Sequence, residues 1–177
     1  FALIDRITEE CFMPITVGGG IRTVDDIRLM LKAGADKVAL GAVVALNPDL
    51  ITEAAEKFGS QAIAVTINYE TSFNNDLDIG RARDAERLGA GEIILQCIDH
   101  DGTMRGYDLD MISEVAAAVR VPVVASGGCS GVKDMHDAIK AGASAVAAGS
   151  LFQFTSMTPR QAAVELQAMG IPTRVEA

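Results

Sequence analysis

Short apolar runs alternate with amphipathic stretches along the whole chain. The runs "MPITVG" (13–18), "KVALG" (37–41), "AIAVTIN" (62–68), "EIILQCI" (92–98), "VPVVAS" (121–126) and "AVAAGS" (145–150) lack clean polar alternation. They therefore predict parallel strands covered on both faces. Between them the apolar spacing predicts helices over 23–33, 48–58, 79–89, 109–119 and 132–141, with flanking helices over 1–10 and 158–169. Thr23 with Asp26, Asn47-Pro48 and Thr158-Pro159 read as helix starts. Gly34, Gly59, Gly89, Gly142 and Gly170 stand where helices end. No Pro- or Ser-rich linker breaks the pattern, so one domain is expected over 1–177.

Within this pattern one unit occurs twice. "GGGIRTVDDIRLMLKAGADKVALGA" (18–42) aligns without a gap to "SGGCSGVKDMHDAIKAGASAVAAGS" (126–150). Alternating strand–helix units imply right-handed crossovers, hence a doubly wound sheet or a (β/α)8 barrel. The repeat favours the TIM-type barrel, whose units are equivalent throughout, whereas a doubly wound sheet reverses at a switch point. A whole barrel has eight strands in typically ~250 residues. Six strands in 177 residues read as an incomplete barrel, N-terminally truncated and missing its first two strands. The opening "FALIDRITEE", which lacks an initial Met, agrees with that expectation.

Composition narrows the function classes. A formal charge of -9 speaks against non-specific nucleic-acid binding, which needs basic patches. Three cysteines without CxxC spacing suit a reducing cytoplasm better than a disulfide framework. No apolar run reaches a membrane span and no signal peptide is visible. Two separated histidines and no compact cluster of ligating residues argue against a metal, and nothing calls for a cofactor.

In a barrel the C-terminal strand ends carry the chemistry. That rule places Gly18–Gly20, Gly41-Ala42, Ser126–Gly128 and Gly149-Ser150 on one face. Glycines there let backbone N–H groups approach an anion. Gly127, Gly128, Gly149 and Ser150 can converge on one phosphate, and Gly20 with Gly41 and Ala42 on a second. The alternative is that these glycines only permit tight turns.

"MPITVGGGIRTVDDI", "GADKV", "NPDLITEAAEKFGSQAI", "LGAGEIIL", "DHDGTMRGYDLDMI", "VPVVASGG" and "FQFTSMTPRQAAVELQAMGIPTR" together resemble the cyclase subunit of imidazole glycerol phosphate synthase, a barrel family of histidine biosynthesis. The resemblance implies a ribonucleotide substrate with a phosphate at each end. It also implies ammonia from a glutaminase (glutamine amidotransferase) subunit in a heterodimer, ring closure, and release of an aminoimidazole carboxamide ribonucleotide. By position it assigns Gly20, Gly41 and Ala42 to one phosphate, and Asp101, Gly102, Gly128, Gly149 and Ser150 to the other. Lys37 and Glu92 match charged residues at the ammonia entrance, although as bare sequence they read as solvated charges.

The match fails at three places. The family's two catalytic aspartates lie on the barrel's first strand and at the end of its fifth. The first has no counterpart here, and the second is Asn68, in "INYE". An amide accepts hydrogen bonds but has no usable pKa. The family's Asn-Thr pair reads Gly41-Ala42, and the loop "YETSFNNDLDIG" is short, through truncation or through missing residues. Asp99, His100 and Asp101 are the candidates to substitute, with Asp101 the best remaining carboxylate and His100 reading more readily as a solvent-facing loop residue. Cys129 reads as a packing residue, although a thiol at a helix start can be acidified. Three functions stay open: the histidine-pathway cyclase, a diverged paralogue that passes ammonia to another acceptor in nucleotide-sugar or surface-glycan synthesis, and a non-catalytic barrel that activates its glutaminase.

Overall fold

The computed structural model describes residues 2–11, 13–71 and 75–174. Six parallel strands form one sheet in the order β1-β2-β3-β4-β5-β6. They are β1 (Thr16–Gly18), β2 (Lys37–Leu40), β3 (Ile63–Tyr69), β4 (Glu92–Cys97), β5 (Val123–Ser126) and β6 (Ala145–Ala147). Sequential order without a switch point is the topology of a (β/α)8-type barrel rather than of a doubly wound sheet.

Chain contacts divide the protein into two compact units, Phe1–Ile67 with Gly80–Ile93, and Asn68–Ile79 with Ile94–Ala177. Unit 1 contains α1 (Ala2–Glu10), β1, α2 (Val24–Lys32), β2, α3 (Val43–Leu46), α4 (Asp49–Phe58), most of β3 and most of α5 (Asn75–Leu88). Its core is aliphatic. Ile27 on α2, Val38 and Leu40 on β2, Leu50 and Ile51 on α4, and Ile63 on β3 are all almost wholly buried. Thr23 and Asp26 form a reciprocal capping box that starts α2, as their spacing predicts.

Unit 2 contains the ends of β3 and β4, then α6 (Leu109–Ala118), β5, α7 (Val132–Lys140), β6, α8 (Ser150–Phe154) and α9 (Pro159–Ala168). Met111, Ile112 and Val115 of α6 and Met135 and Ala138 of α7 bury the inward faces of these two helices, which pack on each other and on β5 and β6. Thr158 and Gln161 cap α9 in the same reciprocal way.

The repeat holds to the residue. β1 pairs β2 with Thr16↔Lys37, Val17↔Val38 and Gly18↔Ala39. Offset by 108 positions, β5 pairs β6 with Val124↔Ala145, Ala125↔Val146 and Ser126↔Ala147. The intervening helices, α2 and α7, have matching bounds under the same offset.

Several boundaries differ from expectation. The strand expected over 145–150 ends at Ala147, because Ser150 opens α8. α3 and α8 were absent from the sequence reading, since four or five residues are too few to show helical period. α5 begins at Asn75 rather than 79, with Asp76 and Asp78 in its acidic first turn. The shortened loop before it falls partly on 72–74, outside the described residues.

Candidate functional site

In unit 2 the loops that follow β4, β5 and β6 enclose a cavity of about 200 Å³. Asp101, Gly102, Met104, Gly127, Gly128, Gly149 and Ser150 all line it. At roughly 30 Å³ per water molecule, this volume suits a phosphate group and part of whatever carries it. The loops are fastened to one another. Gly106 N–H donates to Gly128 O at 2.8 Å, His100 Nδ1 donates to Gly106 O at 3.1 Å, and Tyr107 hydroxyl donates to Ala147 O at 2.9 Å. The N–H groups of Gly128, Gly149 and Ser150 donate to no protein acceptor among the described residues.

The glycines here have two different causes. Gly128 has φ +98°, and a Cβ on it would lie 2.2 Å from Gly106 O, so packing alone demands glycine. Gly149 has φ -102° and nothing within 4 Å of a Cβ. Neither backbone nor neighbours require glycine there, and what its missing side chain leaves is open cavity. Met104 adds a backbone feature, φ +54°, which no other non-glycine residue shares among the described residues.

Unit 1 has a counterpart after β1 and β2. Gly18–Gly20, Ile21, Arg22, Gly41, Ala42, Val43, Leu46 and Thr66 line a cavity of about 950 Å³. Gly41 repeats the logic of Gly149, with no positive φ and open space around a Cβ. Its donors differ from those in unit 2. Ala42 stands where the other copy has Ser150, which leaves the N–H groups of the loop, the Thr66 hydroxyl and Arg22.

At the opposite, N-terminal ends of the strands, Lys37 opens β2 and Glu92 opens β4, and their side chains form an ion pair. The two are paired with each other rather than separately solvated. Glu92 is the more enclosed, at 15% side-chain exposure. Asn68 is the exposed penultimate residue of β3, and its amide has no protein partner among the described residues. Asp101, exposed in the loop after β4, has its N–H on Cys97 O at 3.1 Å.

Asp99 is engaged elsewhere. Its carboxylate accepts the Thr71 hydroxyl, the Thr71 N–H at 3.2 Å and the Cys97 thiol at 3.2 Å. The Thr71 hydroxyl, more than any other group, holds its pKa down at about 2, so it is a fixed anion and a poor proton shuttle. Burial pushes the Cys129 thiol up, which agrees with a packing role. Among the described residues no three His, Cys, Asp or Glu side chains gather as metal ligands would. No helix of the described residues is long and apolar enough to cross a membrane.

Burial also raises Tyr69 and Tyr107 far above their ordinary value, and lifts Cys97 from 9.0 to about 11. A raised folded-state pKa on an acid means that the folded form keeps its proton longer. The stability these groups contribute is therefore fully present below the unfolded thiol value, and is lost as pH climbs through 9 to 11 and beyond. Tyr69 and Tyr107 are the chain's two tyrosines. Absorbance at 295 nm during an alkaline titration will therefore rise together with loss of circular dichroism. A smooth titration near pH ~10 with the dichroism intact would contradict their burial.

Sequence reasoning grouped the glycines and Ser150 but missed other lining residues, Met104, Thr66 and Arg22 among them. Met104 lacked any signal, and Arg22 was read only as part of a loop motif. Against known families, the model described as "Histidine biosynthesis protein" matches residues 1–158.

Proposed function

Because the chain belongs to the histidine biosynthesis protein family, we propose that it is an ammonia-using cyclase of the imidazole glycerol phosphate synthase type. The substrate is a bisphosphorylated formimino-aminoimidazole carboxamide ribonucleotide. The products are imidazole glycerol phosphate and the aminoimidazole carboxamide ribonucleotide. The unit 2 cavity supports this reading best: backbone N–H groups of Gly128, Gly149 and Ser150 line a space with room for a phosphate, and a glycine stands at 149 without steric need. Gly20, Gly41 and Ala42 hold the second phosphate, Asp101 takes part in proton transfer, and Asn68 stands at the other catalytic position. Ammonia comes from a glutaminase subunit docked at the strand starts, where the Lys37–Glu92 pair gates its entry. If the glutaminase neither associates in a pull-down nor gains activity, that part of the proposal is lost.

Asn68 and the Gly41-Ala42 pair favour a second reading. In it the barrel is a diverged paralogue that delivers ammonia to a different phosphorylated acceptor, or one that only activates its glutaminase.

Gly149→Val tests the phosphate cavity without disturbing the fold, since the backbone at 149 is one any residue adopts and a Cβ meets nothing. The added side chain fills the cavity. KM for the bisphosphate substrate is expected to rise at least about 10-fold, the cost of losing one or two hydrogen bonds to a charged group. An unchanged KM would show that phosphate binds elsewhere.

A further inference from the structure

The unit 1 cavity has one charged group on its lining. In a chain with 24 Asp+Glu against 15 Lys+Arg, a single charged residue lines this cavity, and it is a cation, Arg22. Its guanidinium lies within salt-bridge distance of no carboxylate among the described residues, although its charge helps to lower the Asp26 pKa. The nearest carboxylates along the chain are already engaged. Asp26 accepts the N–H groups of Arg22 and Thr23, each at 2.9 Å, and Asp25 pairs with Arg28. Arg22 is exposed, so packing does not explain it either.

The second copy of the repeat shows what has been exchanged. At the position equivalent to Arg22, Ser130 places both its N–H and its hydroxyl on Asp134, at 2.7 and 2.6 Å. Its side chain is therefore consumed by helix capping. Of the two hydroxyls on that cavity's lining, Ser126's donates to Gln96 at 2.7 Å, which leaves Ser150's, at the start of α8. In unit 1 the arrangement is reversed. Ala42 offers only a methyl group where Ser150 has a hydroxyl, and the loop position carries a long side chain with five donors.

We propose that Arg22 is the residue that holds an anionic group, a phosphate monoester, in the unit 1 cavity, in place of the hydroxyl that Ala42 lacks. The inference rests on the phosphorylated-substrate reading above. Reach fits the difference in size, since a cavity of about 950 Å³ is too wide for one short hydroxyl to close, whereas about 200 Å³ is not. A guanidinium presents a planar fork that meets two phosphate oxygens at once. The N–H groups of Gly19 and Gly20, which have no protein acceptor among the described residues, complete the set.

The test is a residue-resolved amide NMR titration of the full chain with methyl phosphate, and separately with acetate, on the parent protein, Arg22→Ala and Arg22→Lys. In the parent protein, methyl phosphate shifts the amides of Gly19, Gly20 and Ala42 in unit 1 and those of Gly128, Gly149 and Ser150 in unit 2. Arg22→Ala raises the apparent Kd of the unit 1 set about 10- to 100-fold and leaves the unit 2 set unchanged, while Arg22→Lys falls between. The proposal is overturned if the unit 1 amides stay still, titrate equally in Arg22→Ala, or respond to acetate as strongly as to methyl phosphate. A silent unit 2 set with an Arg22-dependent unit 1 set keeps this proposal and removes the phosphate assignment at Gly149 instead.

Discussion

Gly128→Ala will destabilise the protein by about 3–5 kcal/mol, the combined cost of an unfavourable positive φ and of overpacking against backbone. The added Cβ would lie 2.2 Å from Gly106 O and 3.0 Å from the His100 Cβ, at φ +98°. Neither contact is with the far end of a flexible side chain. Relief therefore means moving the loop after β4, which breaks the 2.8 Å bond from Gly106 N–H to Gly128 O. Against a typical total of about 5–15 kcal/mol, that is a large fraction of the whole. Urea denaturation followed by circular dichroism measures it as a lower midpoint at similar slope. A midpoint unchanged to within ~0.5 kcal/mol would mean that the loop yields freely, and the steric account of Gly128 would fall. Gly149→Ala is the matched control, and its midpoint should barely move.

Under the cyclase function proposed above, Asn68→Asp will raise turnover of the bisphosphate substrate by about 10²-fold or more, the lower range of what a positioned acid or base contributes. Asn68 is exposed at the end of β3 with no protein partner among the described residues, so the change leaves packing intact. An amide hydrogen-bonds the ground state without exchanging a proton, so the gain belongs in kcat and leaves KM nearly constant. The assay supplies ammonia directly as an ammonium salt, so that no partner limits the rate. A parent enzyme already fast, with no gain in Asn68→Asp, would show that another group moves the proton. Asp101 would then be the next residue to replace. Asp99 would not, because three hydrogen bonds hold it as a permanent anion.

What the sequence discloses here depends on whether a residue's job is local. Strand and helix identities were legible because burial on both faces leaves runs such as 63–67 unbroken by charge, and capping boxes such as Thr23–Asp26 announce themselves at fixed spacing. Glycine clusters at strand ends were legible for the same reason. Their separation into a packing glycine at 128 and an open one at 149 was not, since only distances to Gly106 and His100 distinguish them. α8 was hidden because its five residues are too few to show a helical period. Arg22 carried no signal as a lining residue, because which side chains share a cavity wall is decided by the fold and not by spacing along the chain.

The shared register of the two βαβ copies also creates an ambiguity during folding. Each pairing of one copy has an equivalent in the other, so the growing sheet is offered two similar pieces for the same place. The ion pair at the strand starts discriminates between them. Position 37 is lysine in the first copy, and its equivalent 108 residues on is Ala145. Were the second copy seated beside β3, Glu92 would face a methyl group and keep its charge half-enclosed with no cation. An unpaired carboxylate penalises the wrong piece more than a correct pair stabilises the right one. Lys37 and Glu92 thus mark the right piece of the sheet during assembly.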